Sequence, residues 1–478
     1  MKTKYIFFTV ILSVIFFTAS AQLTVDGQFR SRFVANHGYK VPVKAETNGV
    51  FSFDQRSRLI FNYKSEKFTT RFTLQDARVW GSDDLYNKTG VEGNSYAFGV
   101  YEAWAELNIN KNNSIRIGRQ EWNYNDMRIL CWRNWWTSGM SYDGLLYKMH
   151  NKDSGLFIDL GISYNNNGAR TGGVDNSTWP AGRLKSMSFL NVKKNIGDKL
   201  TLAVMLTVSS KQELVRDVEL GIGTHGLVVN YNKGKKATNG VFGTLSAYYQ
   251  HGTDSKRKVN EEGFKSISAY LISAEVGFRA MKKKLEISAG IEMMSGRDYK
   301  DTTQAYNNVR HTFDLQNSGR YPYYGGHINH FLIQDSWKVG TKGGGYMDPY
   351  IKVKYKLNKK NIVNFAFFMP MLTTDVRAHT SIVNGKPSGS EVDENGKPVY
   401  WNGSLGNYID LGYTHKFSKE VILKLGFSYA MVSDIKNQMV YGYDASAAEP
   451  RTLNKLGQNY FGWAMIIVKP HFFSSKKK

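Results

Sequence analysis

Arginine recurs at alternate positions early in this chain of 478 residues. Arg30 stands with Arg32 and Arg56 with Arg58, and Arg71 and Arg116 come after them. Lys352, Lys354 and Lys356 repeat the spacing later, and Lys424 joins them. A guanidinium is planar, permanently charged and pairs bidentately with carboxylates, so arginines gathered on one surface make a strip for acidic groups. The competing reading is that Asp54, Glu102, Glu106, Glu286 and Glu292 pair with these cations and the charges only fill an interior.

Other chemistry finds less support. Gly221 to Gly226 matches the dinucleotide pattern G-x-G-x-x-G, which needs a helix next to cradle pyrophosphate. Leu227, Val229 and Tyr231 come next instead, at period two, and make a strand. His327 and His330 offer two metal ligands where a zinc site needs a third. No serine or cysteine sits in a recognisable nucleophile motif. The sequence therefore reads as a non-enzyme with no cofactor and no metal.

The basic residues sit on elements of period two. Val25, Gly27, Phe29 and Phe33 oppose Asp26, Gln28, Arg30 and Arg32; Phe53, Leu59, Phe61 and Tyr63 oppose Asp54, Arg56, Arg58 and Asn62. In the stretch Ser114 to Lys148, Ile115 and Ile117 lie opposite Arg116, Gly118 and Gln120. Ile351, Val353 and Tyr355 oppose the lysine run, and Val421, Leu423, Leu425 and Phe427 oppose Lys424. Each basic residue named so far falls on the face away from the apolar one.

Composition narrows what such strands build. Lys2 and Lys4, the apolar run Tyr5 to Phe17 and Ala19-Ser20-Ala21 read as a secretory signal peptide, residues 1–21. No later run could span a membrane as a helix, so the mature chain is soluble or crosses as a β-barrel. With one cysteine, Cys131, an internal disulfide is impossible. Aromatics make up 14% of residues and tyrosine contributes 29, which suits strands and membrane-interface girdles. The net charge of +23 attracts anions, and export makes nucleic acid a poor partner.

The joints decide between a sandwich and a barrel. Short ones lie near Ser65-Glu66, Asn112, Lys152, Ile196-Gly197, Gly234, Lys282, Asn358 and Ser418. Long ones cover roughly 35–49, 81–98, 124–139, 165–183, 210–218, 252–264, 297–345, 374–404 and 434–458. Their alternation connects about eighteen strands. It predicts an all-β fold: a single antiparallel transmembrane β-barrel with short periplasmic turns and long extracellular loops, in the bacterial outer membrane. Barrel residues are 22–478, with strands over about 23–473 and a basic tail at 474–478. Strand 459–473 should close on 23–34. Arginine facing lipid costs about 2–4 kcal/mol at the midplane, so the basic face is assigned to the lumen. Cys131 is expected as a free thiol in the extracellular loop 124–139, partly covered by Trp132, Trp135 and Trp136.

Several stretches carry a resemblance: Gly118-Arg119-Gln120, then Asp126 and Arg128, then Trp135 or Trp136, then Asp143-Gly144 opening the returning strand. Gln55 to Arg58, Leu74 to Arg78, and Leu405-Gly406 leading into Ile409-Asp410-Leu411 agree with it. Together these resemble the alginate-export family of outer-membrane barrels. The resemblance implies eighteen strands and an electropositive pore for an acidic polysaccharide, and it matches Arg56, Arg58, Arg119 and Arg128 to basic pore positions. Cys131 departs from it, standing where a small glycine is usual, and 297–345 is unusually long.

The function expected is an outer-membrane channel passing an anionic polysaccharide or oligosaccharide. The alternatives are a general anion-selective porin, with pore width set by how loops 81–98, 124–139 and 297–345 fold inward, and a binding platform with a plugged pore. The expected pore-lining set is Arg30, Arg32, Arg56, Arg58, Arg71, Arg116, Arg119, Arg128, Asp143, Lys352 and Lys354. Expected partners are outer-membrane lipid, the polysaccharide or small anions, and periplasmic export proteins.

Overall fold

The computed structural model describes residues 22–80, 98–165, 184–213, 218–232, 239–257, 264–313, 343–383, 386–449 and 451–475. The signal segment 1–21, His327 and His330 lie outside them, as do most of 81–98 and 165–183 and the middle of 297–345.

Alternating residues extend into strands because each apolar side chain then has one face to itself. The wall is built from β1 (Gln22–His37), β2 (Val50–Lys64), β3 (Phe68–Val79), β4 (Phe98–Asn108), β5 (Asn113–Gln120) and β6 (Tyr142–Asn151). It continues through β7 (Leu156–Tyr164), β8 (Ser186–Ile196), β9 (Leu200–Glu213), β10 (Val218–Tyr231), β11 (Gly240–Arg257) and β12 (Phe264–Ala280). It ends with β13 (Leu285–Met294), β14 (Tyr346–Lys356), β15 (Asn361–Phe368), β16 (Gly406–Lys416), β17 (Val421–Val432) and β18 (Asn459–Val468). Each pairs antiparallel with its neighbours in sequence, and β1 pairs with β18 from Phe29↔Val468 to His37↔Tyr460. The result is a closed antiparallel barrel of eighteen strands. The chain runs past Pro470, whose carbonyl accepts from the Gly27 N–H at 2.8 Å, into His471–Ser474, which completes the seam beside β1. A short strand at Val309–Arg310 lies parallel to the start of β12.

Joins at one rim span 65–67, 109–112, 152–155, 197–199, 281–284, 357–360 and 417–420, with a longer one at 232–239. Their chemistry is local. The side chains of Asn110, Asn358 and Ser418 each accept backbone N–H groups two and three residues on, at 2.8 to 3.0 Å. At the other rim the described residues 38–49 join β1 to β2. In two expected loops, 210–218 and 252–264, the described residues are strand instead: β9 runs to Glu213, β10 starts at Val218, β11 runs to Arg257 and β12 starts at Phe264. Ladder pairing there, Glu213↔Val218 among it, satisfies more backbone groups than a loop would. Gly221 to Gly226 lies inside β10, so no helix receives a phosphate. Segment 369–405 forms two small hairpins beside α1 (Asp434–Tyr441), where the Trp401 indole donates to Gln438 at 2.6 Å and Gln438 to Glu391 at 2.7 Å.

The two faces separate as the alternation requires. Outward side chains are apolar and exposed, including Ile117 at 57%, Val276 at 60% and Leu411 at 49%. Inward ones include buried Arg30, Arg56, Thr207, Ser246, Glu292 and Asp410. So broad an apolar exterior is costly in water and matched to hydrocarbon. Among the described residues no helix is long and apolar enough to cross a membrane, which says nothing of a crossing by strands.

Closure gives the first prediction. Removing 459–478 strips the partner from β1 and from β17, and unpaired strand edges in hydrocarbon cost several kcal/mol per group. The truncated chain should yield no compact, heat-resistant species on unboiled gels; recovery of such a species would show that the seam does not need β18.

Candidate functional site: a loop folded into the lumen

Residues 121–141, between β5 and β6, do not stand at the rim. They fold into the barrel, with Trp122, Leu130 and Cys131 fully buried. The loop backbone is irregular: Asn125, Met127 and Arg133 hold positive φ, a conformation uncommon for residues with a Cβ. Its carbonyls cannot all be satisfied by its own N–H groups, so it depends on donors from the walls.

The arginine strip on β1 and β2 supplies them. Arg30 donates to the carbonyls of Asn134, Trp135 and Trp136, the last at 2.9 Å. Arg32 donates to the Trp135 carbonyl at 2.6 Å and to the Thr137 hydroxyl at 3.2 Å, pairs with Asp54, and stacks 4.3 Å from the centre of the Trp135 ring. Arg56, 1% exposed, donates to Gln28, to the Asn134 side chain at 2.8 Å and to the Trp136 carbonyl at 3.5 Å. All three acceptors are neutral, so no carboxylate cancels the Arg56 charge at contact. Arg58 donates to Gln75 at 2.7 Å and Ser138 at 3.4 Å, and lies 3.6 Å over the Tyr101 ring. The Trp135 ring meets Trp463 of β18 edge-on, centroids 4.9 Å apart.

Two more walls hold the loop. Trp122, Leu130 and Met140 pack on Leu146 of β6, Met187 and Phe189 of β8 and Met205 of β9, an apolar part of the inner face. Toward β11 to β13, Arg128 pairs with Glu292 at 2.9 Å and donates to Ser273 at 2.8 Å, while Tyr248 donates to Asp126 at 2.6 Å. Arg128 also pairs with Asp126 at 2.9 Å. Burial pushes the Glu121 carboxyl above its usual range, with Glu102 adding to the effect. Burial likewise pushes the Cys131 thiol up to about 11.

The rest of the sequence-predicted set divides. Arg71 pairs with Glu102 at 2.6 Å and Arg116 with Glu106 at 2.5 Å. Lys352 meets Glu275 at 3.2 Å, and Lys354 meets Glu286 at 3.6 Å. Arg119 and Asp143 are corrections: they pair with each other at 2.7 Å on the outer wall. Their strands put Ile117↔Leu145 on that same face, two residues away, where both side chains are exposed. Cys131 is a free thiol, but buried inside the barrel rather than in an exposed loop. Glu292, Ser273, Tyr248 and Asn134 hold the loop and leave no trace in the sequence as loop contacts, because each lies far along the chain from its partner or inside the loop itself.

No protein-family model and no curated protein sequence matches this chain. The fold is matched by solved outer-membrane proteins. OccAB1 of Acinetobacter baumannii aligns with a TM-score of 0.56 at 11% identity, over 95% of this chain and 99% of that one. OccK8 (OprE) of Pseudomonas aeruginosa aligns at 0.55 and 9% identity, over 94% and 98%. The outer membrane protein OprD of Pseudomonas aeruginosa aligns at 0.55 and 9%, over 95% and 96%. The chain thus shares the eighteen-stranded barrel fold of these proteins. The alginate-export resemblance is not supported: these three matches are OprD and Occ barrels.

Arg128 and Glu292 are both buried, and removing one partner of such a pair costs about 3–5 kcal/mol. Arg128→Gln should free that side of the loop and raise the rate at which Cys131 in the folded, detergent-solubilised protein reacts with a maleimide by about tenfold or more. An unchanged rate would mean the loop stays docked without the pair.

Proposed function

We propose that the protein is an outer-membrane channel for small solutes, that it favours anions, and that loop 121–141 sets its bore. The observation that carries this reading is the loop's attachment across the lumen, with Arg30, Arg32, Arg56 and Arg58 on one side and Arg128–Glu292 on another. A segment fixed to several walls narrows the passage, which suits small solutes better than a continuous polymer. The general porin therefore fits better than a polysaccharide exporter. The apolar exterior and the barrel fold shared with OprD, described as an outer membrane protein, support the location.

The preference for anions rests on the basic wall. Fixed positive charge in a narrow passage of low dielectric concentrates anions and repels cations, and salt weakens the effect. Arg56 contributes directly, since its contacts are to neutral acceptors. In planar bilayers under a potassium chloride gradient, the wild-type protein should be anion-selective. Arg56→Gln should shift the reversal potential toward the cation side, most at low ionic strength. Equal permeability of the wild type to both ions, or an unmoved potential in the variant, would reduce the arginines to tethers. A wild type with no conductance would leave a plugged, loop-based binder.

Acidity should act through Glu121. Its carboxyl is raised by burial, so it takes up a proton at a pH above the ordinary carboxylate range, and each uptake removes one negative charge beside Arg58. Anion preference should therefore grow as pH falls from neutral. Glu121→Gln should hold the low-pH selectivity throughout that interval; a variant that still titrates there would place the effect on another group.

A further inference from the structure

Away from the lumen, β10 and β11 bring two histidines together on the outer wall. His225 shares its face with exposed Leu227 and Tyr231, and His251 with exposed Leu245 and Tyr249. The register pairs His225↔Tyr249 and Gly223↔His251, so the two imidazoles are diagonal neighbours. Their Nε2 atoms lie 2.8 Å apart, and the rings are 4.8 Å apart at 45°. Gly223 makes this approach possible: a Cβ there would collide with Nε2 of His251. The His251 ring stacks near Tyr249 at 24°. The two Nε2 atoms share a hydrogen bond, while His225 Nδ1 is buried without a hydrogen-bond partner.

We propose that His225 and His251 form a two-nitrogen surface site for a divalent transition-metal ion of tetragonal preference, Cu2+ or Ni2+. Neutral imidazole is a ligand suited to both ions. Two bonds of about 2.0 Å at a right angle place their nitrogens about 2.8 Å apart, whereas a tetrahedral ion such as zinc needs about 3.3 Å. The separation in the barrel fits the right-angled case. Exposed His251 leaves the remaining coordination positions outside the wall, open to ligands other than protein. Among the described residues no group of three or more histidine, cysteine, aspartate or glutamate side chains offers a rival metal site. The bound ion would bridge β10 and β11, independently of whether the lumen conducts.

The test uses untagged full-length protein in detergent micelles, titrated with Cu2+ alone and followed by electron paramagnetic resonance. The expected result is a bound ion with hyperfine coupling to two nitrogens. His251→Phe keeps a ring beside Tyr249, and should keep the heat-resistant barrel while losing the two-nitrogen signal and about tenfold or more in affinity. A double variant, His327→Phe with His330→Phe, should bind as the wild type does. The proposal is overturned if the wild type gives no two-nitrogen signal, if His251→Phe retains it, or if the double variant abolishes it. In the absence of such binding the pair is an imidazole–imidazole hydrogen bond and nothing more.

Discussion

An irregular backbone inside a barrel must find hydrogen-bond partners that a strand would find in its neighbours. Loop 121–141 meets this constraint with guanidinium groups. Arg30, Arg32, Arg56 and Arg58 aim their donors at carbonyl and side-chain oxygens between Asn134 and Ser138. Five N–H groups in a rigid fork let one arginine serve several acceptors at once, which a lysine could not do in the same geometry. The buried thiol and the positive-φ residues Asn125, Met127 and Arg133 belong to the loop those contacts hold.

The same arginines have a second consequence. A guanidinium that donates to a neutral carbonyl keeps its charge, whereas one that meets a carboxylate largely loses its field. The lumen uses both arrangements. Arg71, Arg116, Lys352 and Lys354 face carboxylates. Arg56 faces amide and carbonyl oxygens. The residues that hold the loop are therefore also the ones that carry the charge.

Two residues show where inference from likeness parts from inference from period. Period two places Arg119 with Ile115 and Ile117, on the apolar face, while the family resemblance assigns it to the pore. The structure follows the period, with Arg119 paired to Asp143 on the outside. Mutual neutralisation by a bidentate contact, at 2.8 and 2.7 Å, reduces the cost of that position. Cys131 does lie in a loop, but chain length alone suggests a place at the rim. Loop length does not encode direction, and the apolar inner faces of β6, β8 and β9 draw the segment inward.

The sequence by itself determined the strands, their two faces, their antiparallel order and the closure of 459–473 on 23–34. These follow from side-chain alternation and joint chemistry, which are local and leave a periodic trace. Only the tertiary structure decided that 121–141 enters the lumen, that Arg128 reaches Glu292, that Arg56 meets neutral oxygens, and that His225 meets His251. Each of these is a contact between positions far apart in the chain. Such contacts are set by barrel curvature, strand register and the space left inside, and no spacing of residue types along one strand records them.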